Sequence, residues 1–155
     1  LPRLAGYTAK IQQHVTDATD WPTLVDRIAA GPPLYSPFKL LDPLVNVAEM
    51  FIHNEDVWRA QTDWEPRDLD DATVRALSRQ VAMTARMAMA KSPVRVTLAT
   101  THGKTLATVG NGPDVTVTGA PGELLLFAAG RDPAQVTFSG ADDAVAALRS
   151  ARRGL

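Results

Sequence analysis

Glu49 and His53 stand four residues apart in the run Glu49-Met50-Phe51-Ile52-His53-Asn54-Glu55-Asp56-Val57. On an α-helix, positions i and i+4 lie one above the other on the same face. A carboxylate oxygen and an imidazole nitrogen projecting from one turn supply two of the three protein ligands of a water-open zinc site, at about 2.0–2.2 Å from the ion. Asn46, Glu49, His53 and Asp56 follow one another at alternating three- and four-residue spacing, which is one continuous helical face. Asn46 or Asp56 would then stand behind the imidazole and hold its second nitrogen. Leu44, Val45, Val47, Ala48, Phe51, Ile52 and Val57 flank the stripe. A solvated face normally lacks such apolar shoulders, so the polar stripe is expected to point into a helical bundle or a pocket. A buried Glu–His hydrogen bond between helices has the same spacing, and spacing alone leaves both readings open.

The elements that must position this face change character near Lys91-Ser92-Pro93, where proline disfavours the helical region for its predecessor. Before that point the periods are helical. Leu4, Tyr7, Ile11 and Val15 predict a helix over 4–16, and Asp20-Trp21-Pro22 opens a second that reaches Ala30. A Pro-rich loop over 34–41 follows, with Tyr35 and Phe38 to bury. Asp42-Pro43 predicts the start of the helix that carries Glu49 and His53, running to about Gln61. A fourth helix is expected over 70–90, burying Val74, Leu77, Val81, Ala85 and Ala88, with Met83 and Met87 as core filling. After Pro93 the pattern alternates. Strands are expected near 94–99, 105–109, 115–118 and 135–139, with Gly110-Asn111-Gly112-Pro113-Asp114 as a turn. Leu124 to Ala129 reads as a helix closed by Gly130, and Ala141 to Ala151 as a last amphipathic helix. The fold class is therefore α+β: a helical part over 1–91, then a small module over 92–155 with an antiparallel sheet.

Composition narrows the function. A net charge of −1 offers no electrostatic footprint for nucleic acid and no basic membrane anchor. No apolar run approaches the ~20 residues of a membrane-spanning helix. With no cysteine, the chain has neither disulfides nor a thiol nucleophile of its own, in keeping with a reducing cytoplasm. Phosphate-loop, dinucleotide-binding and nucleophile-elbow motifs are absent. His14 and His102 read as surface histidines, and Arg59 as an ion-pair partner.

The run from Asn46 to Ala60, followed by Trp64-Glu65-Pro66-Arg67, resembles actinobacterial proteins of the mycothiol-dependent maleylpyruvate isomerase family, within the wider DinB-like four-helix metalloproteins. Leu4-Ala5-Gly6-Tyr7-Thr8 and Gly31-Pro32-Pro33 share the likeness, and the second half is similar to a sterol-carrier-like module. The resemblance implies a DinB-like bundle holding a divalent metal, zinc or another such as nickel, on Glu49, His53 and a histidine from a first bundle helix. That helix would lie upstream of Leu1, and the start at Leu1 rather than Met reads as a chain whose N-terminal part is missing. The resemblance further implies mycothiol as the thiol, a small electrophile as its target, and Arg131 as the group for an anionic substrate. Arg131 also fits an exposed helix end or an ion pair with Asp132. A pairing of two copies is compatible with such a bundle. The rival expectations are a protein that binds an apolar ligand, lined by Leu124 to Phe127 and the Met-rich fourth helix, and a metal-stabilised protein without turnover.

Overall fold

A computed structural model describes residues 10, 13–30 and 38–151, with side chains described outside 27–46. The chain divides into two compact units, Leu1–Pro43 and Leu44–Leu155. In the first, residues 10 and 13–18 are helical (α1) and α2 spans Trp21–Ala30. Asp20 caps α2 as expected: its carboxylate accepts from the Thr23 amide at 3.3 Å. Leu4, Tyr7 and Ile11 of the predicted first helix, and Tyr35 of the predicted loop, lie outside the described residues.

Helix α3 spans Phe38–Arg59 and starts before the expected Asp42-Pro43 cap, so 38–41 are helix and not loop. Pro43 sits in the second turn, where its missing N–H forfeits one hydrogen bond without ending the helix. Helix α4 spans Asp71–Ala88, and its N-cap is Asp70, whose carboxylate accepts from the Thr73 amide at 2.8 Å and from the Thr73 hydroxyl at 3.0 Å. Its buried face is Leu77, Gln80, Val81, Thr84 and Ala85. Met83 and Met87 do not fill the core as expected; they are 37% and 65% exposed. Each lies three residues past a buried polar position, Gln80 or Thr84, and so on the flank of the buried face.

Four strands form one sheet: β1 Arg95–Ala99, β2 Thr105–Val109, β3 Asp114–Thr118 and β4 Thr137–Gly140, in the order β2-β1-β3-β4. β1 pairs with β2 and β3 with β4 antiparallel, but β1 and β3 run parallel. The sheet is therefore mixed, and the antiparallel expectation is corrected. The cause is the segment from Gly110 to Pro113. It does not fold β3 back on β2; it passes round the start of β1 and enters β3 on the far side. Gly110 (φ 77°) lies against the Val94 carbonyl, and a Cβ on Gly112 (φ 116°) would come within 2.6 Å of the Pro93 oxygen. The Arg95 amide donates to the Pro113 carbonyl at 2.9 Å and holds the crossing against the strand.

Helix α5 (Pro121–Ala128) is buried from Gly122 onward and ends as expected at Gly130, whose φ of 82° lets its amide and that of Arg131 reach back to the Phe127 and Leu126 carbonyls. Helix α6 spans Asp142–Ser150. α4 packs on α5 and on β2, and α6 on β3 and β4. The core gathers Leu77 and Val81 of α4, Val96 and Leu98 of β1, Val115 and Val117 of β3, Leu124 to Phe127 of α5 and Leu148 of α6. Ala48 and Ile52 of α3 join the same cluster, so one core includes residues on both sides of Lys91-Ser92-Pro93. Among the described residues no helix is long and apolar enough to cross a membrane.

Candidate metal centre and the buried ion network beside it

Helix α3 presents a narrow inward strip. Ala48, Ile52 and Glu55 are buried, and the partly buried Phe51 lies against Gly122 of α5, where a Cβ would come 2.8 Å from its ring. The polar face beside this strip is not buried: Glu49, His53 and Asp56 are all exposed, as are Val47, Met50 and Val57 on its shoulders. The apolar shoulders therefore did not mark a face turned into a bundle. The stripe opens on a cavity of about 190 Å³ lined by Glu49, Ile52, His53, Ala129 and Arg131. So the two residues with ligand chemistry, one turn apart on α3, share a cavity with an arginine that follows α5.

Behind the imidazole stands Asp56, with His53 Nδ1 3.8 Å from its Oδ2. Asp56 is held in turn by the guanidinium of Arg131, with Nε donating to Oδ1 at 3.0 Å and Nη2 to Oδ2 at 2.8 Å, while Nη1 donates to the Ala129 carbonyl at 2.9 Å. Arg131 thus pairs with Asp56 of α3 and is not simply a solvated helix end. That hydrogen bond, against a smaller opposing effect of burial, holds the Asp56 carboxyl below its ordinary value, with further help from the charges of Arg131 and His53. The same bond holds the Arg131 guanidinium above its own. A depressed carboxyl contributes stability that is present above its unfolded value and lost as pH falls through the folded one. Replacing Arg131 with Gln therefore raises the Asp56 titration midpoint toward the ordinary carboxylate range, read by carboxyl-carbon NMR, and removes that acid-side loss of stability. An unmoved midpoint contradicts the pairing.

Among the described residues Glu49 makes no hydrogen bond or ion pair, and no group of three or more His, Cys, Asp or Glu gathers around a metal position. The Asn46 side chain lies outside the described residues. His14 and His102 are exposed, as expected.

On the neighbouring strip of α3 the sequence concealed an ion network. Glu55, only 1% exposed, accepts from Arg59 Nε at 2.8 Å and from Arg67 Nε and Nη2 at 2.8 and 2.6 Å. Arg59 also donates to both oxygens of the buried Glu123 on α5 and to the Pro133 carbonyl at 2.9 Å, and its guanidinium lies 4.4 Å from the Trp64 ring centre. Glu123 accepts the Gln135 amide at 2.6 Å. Burial alone would depress the Arg59 pKa, but the bonds to Glu123 and Glu55 hold it above its ordinary value. Arg59 is thus the ion-pair partner its type suggested. Glu55 and Glu123 were not singled out; the four-residue spacing of Glu55 and Arg59 was the available signal. The network ties α3, the 60–70 connector and α5 together, and so fixes the helix that carries Glu49 and His53.

Comparison of the chain with protein families, curated proteins and solved structures finds no match.

Proposed function

We propose that Glu49 and His53 hold a divalent metal ion, zinc or a similar ion such as nickel, in a protein of the DinB-like, mycothiol-dependent maleylpyruvate isomerase type. The observation that carries the reading is a single arrangement: an exposed carboxylate and imidazole one turn apart in one cavity, with the imidazole backed by Asp56 and Asp56 held by Arg131. The donor set suits zinc, which accepts both oxygen and imidazole nitrogen. Asp56 Oδ2 stands 3.8 Å from His53 Nδ1, wider than a hydrogen bond; closing that gap on metal binding would leave Nε2 as the metal donor and give the carboxylate–histidine pattern that fixes ring orientation. The remaining positions fall to water, to a thiol or to a donor outside the described residues.

A metal ion with an open position lowers the pKa of a bound thiol and supplies thiolate at neutral pH. The chain's own residues hold the ion, orient the imidazole and keep Arg131 at the cavity wall. Because the chain has no cysteine, the thiol arrives with the cosubstrate, mycothiol, and its target is a small electrophile. The finer fold reading, a DinB-like bundle joined to a sterol-carrier-like module in a cytoplasmic protein, rests on the same resemblance.

Calorimetric titration with zinc tests the site. One ion per chain is expected, with affinity falling at least about 100-fold in Glu49→Ala and in His53→Ala, and about 10-fold in Asp56→Asn, as for loss of a partner behind a metal ligand. Equal zinc affinity in the wild type and both ligand variants overturns the proposal. With metal bound, mycothiol consumption against a panel of electrophiles then tests turnover, and none in any member refutes the transferase part alone.

A further inference from the structure

Helix α4 and strand β2 flank a second, unrelated cavity of about 410 Å³, open to solvent and lined by Arg75, Ser78, Arg79, Ala82, Lys104, Thr105 and Leu106. Its lining holds three cations and no carboxylate. Arg75 and Arg79 are one turn apart on the same face of α4, and Lys104 comes from the β1–β2 turn that faces them. Among the described residues none of the three forms an ion pair, although Arg75 is close enough to Asp70 to lower its pKa. Among the described residues Arg86 of α4 also lacks an ion pair, but five other arginines are engaged. Arg59, Arg67, Arg95 and Arg131 each pair with a carboxylate, and Arg149 lies over Phe138. Acids and bases are nearly balanced in the chain, yet among the described residues no acid lines this cavity.

Backbone geometry points to the same place. β1 and β2 keep regular register from Val96↔Val109 to Leu98↔Ala107, and then Ala99 pairs with Thr105, leaving Leu106 as the extra residue of a bulge. Bulges gather beside sites where a strand re-aims its side chains. This one falls on the two β2 residues that line the cavity and directly follows Lys104. Packing of α4 on β2 fixes the two walls against each other. Three cations that line one cavity favour an anion there, and guanidinium pairs match the geometry of phosphate oxygens. Ser78 spends its hydroxyl proton on the Val74 carbonyl at 2.7 Å, which leaves the Thr105 hydroxyl as a neutral donor.

We infer that the cleft between α4 and β2 binds the phosphoryl group of a small phosphorylated molecule, held by Arg75, Arg79 and Lys104. The cleft has room for more than one phosphoryl group, in the size range of small-molecule sites. It shares no residue with the proposed metal centre, and the two readings stand or fall separately.

Titration of the full chain with pyrophosphate, followed by amide NMR at constant ionic strength, tests the inference. Saturable shifts are expected at 75–79 and 104–106. Affinity should fall at least about 10-fold in Arg79→Gln and in Lys104→Gln, exposed positions whose replacement leaves the core intact, and stay unchanged in Arg86→Gln, an exposed arginine of α4 outside the cleft. Shifts that fail to saturate, that chloride reproduces, or that persist in both cleft variants overturn it. So does a single-stranded oligonucleotide that binds more tightly than pyrophosphate with shifts spread beyond the cleft, because the ligand would then be a polyanion reading surface charge.

Discussion

Replacing Arg59 with methionine lowers the unfolding free energy by about 3–5 kcal/mol, the cost of removing one partner from a buried ion network. The guanidinium is the shared centre of two carboxylates, Glu55 and Glu123, both nearly inaccessible to water. Methionine fills much of the volume and supplies none of the donors, so Glu123 keeps only the Gln135 amide and Glu55 only Arg67. The two carboxylates are then desolvated with too little positive charge between them. Arg59→Lys recovers a minor part, because an ammonium cannot present the planar fork that serves both acids. Urea denaturation followed by tryptophan fluorescence measures the loss, since Trp64 lies over the guanidinium. A loss below about 1 kcal/mol would mean the network is no better than an exposed pair.

The second large effect is Gly110→Ala, expected to cost at least about 2 kcal/mol, since a left-handed backbone alone costs roughly 1–2 kcal/mol for a residue with a Cβ. The new Cβ would also meet the Val94 carbonyl and the Ser92 side chain. Those atoms lie at the start of β1, round which the chain must pass to make β3 parallel to β1. Gly103→Ala is the informative control: its φ is 81°, but nothing lies within 4 Å of the Cβ position. Thermal unfolding should place Gly110→Ala well below Gly103→Ala. Equal values contradict the close crossing.

These two positions show what the sequence made legible and what it did not. The strands β1 and β3 could be read because each buries one face, and Val96, Leu98, Val115 and Val117 alternate accordingly. The turn at Gly110-Asn111-Gly112 was equally plain. Its direction was not, because two positive-φ glycines serve a hairpin and a crossing alike. On α3 the Glu49–His53 spacing placed both groups on one face and in one cavity, and Asp56 beside them, as the three- and four-residue spacing implied. The burial of that face was misjudged. Its apolar shoulders Met50 and Val57 are exposed, because the inward strip is set by Ala48, Ile52 and Glu55. A buried glutamate inside an apolar strip reads as a surface residue until its partner Arg67, and the Glu123 of α5 that shares Arg59 with it from sixty-four residues beyond that arginine, are placed in space. No local pattern reports contacts of that separation.

The central claim is that Glu49 and His53 form a metal centre, and histidine ring-nitrogen NMR during a zinc titration tests it most directly. The chain has three histidines, so each ring can be followed by itself. The account predicts that one equivalent of zinc shifts the His53 ring with a metal-bound Nε2, leaves His14 and His102 in place, and does neither in Glu49→Ala. A His53 ring that stays unmoved, or three rings that shift together, would contradict it.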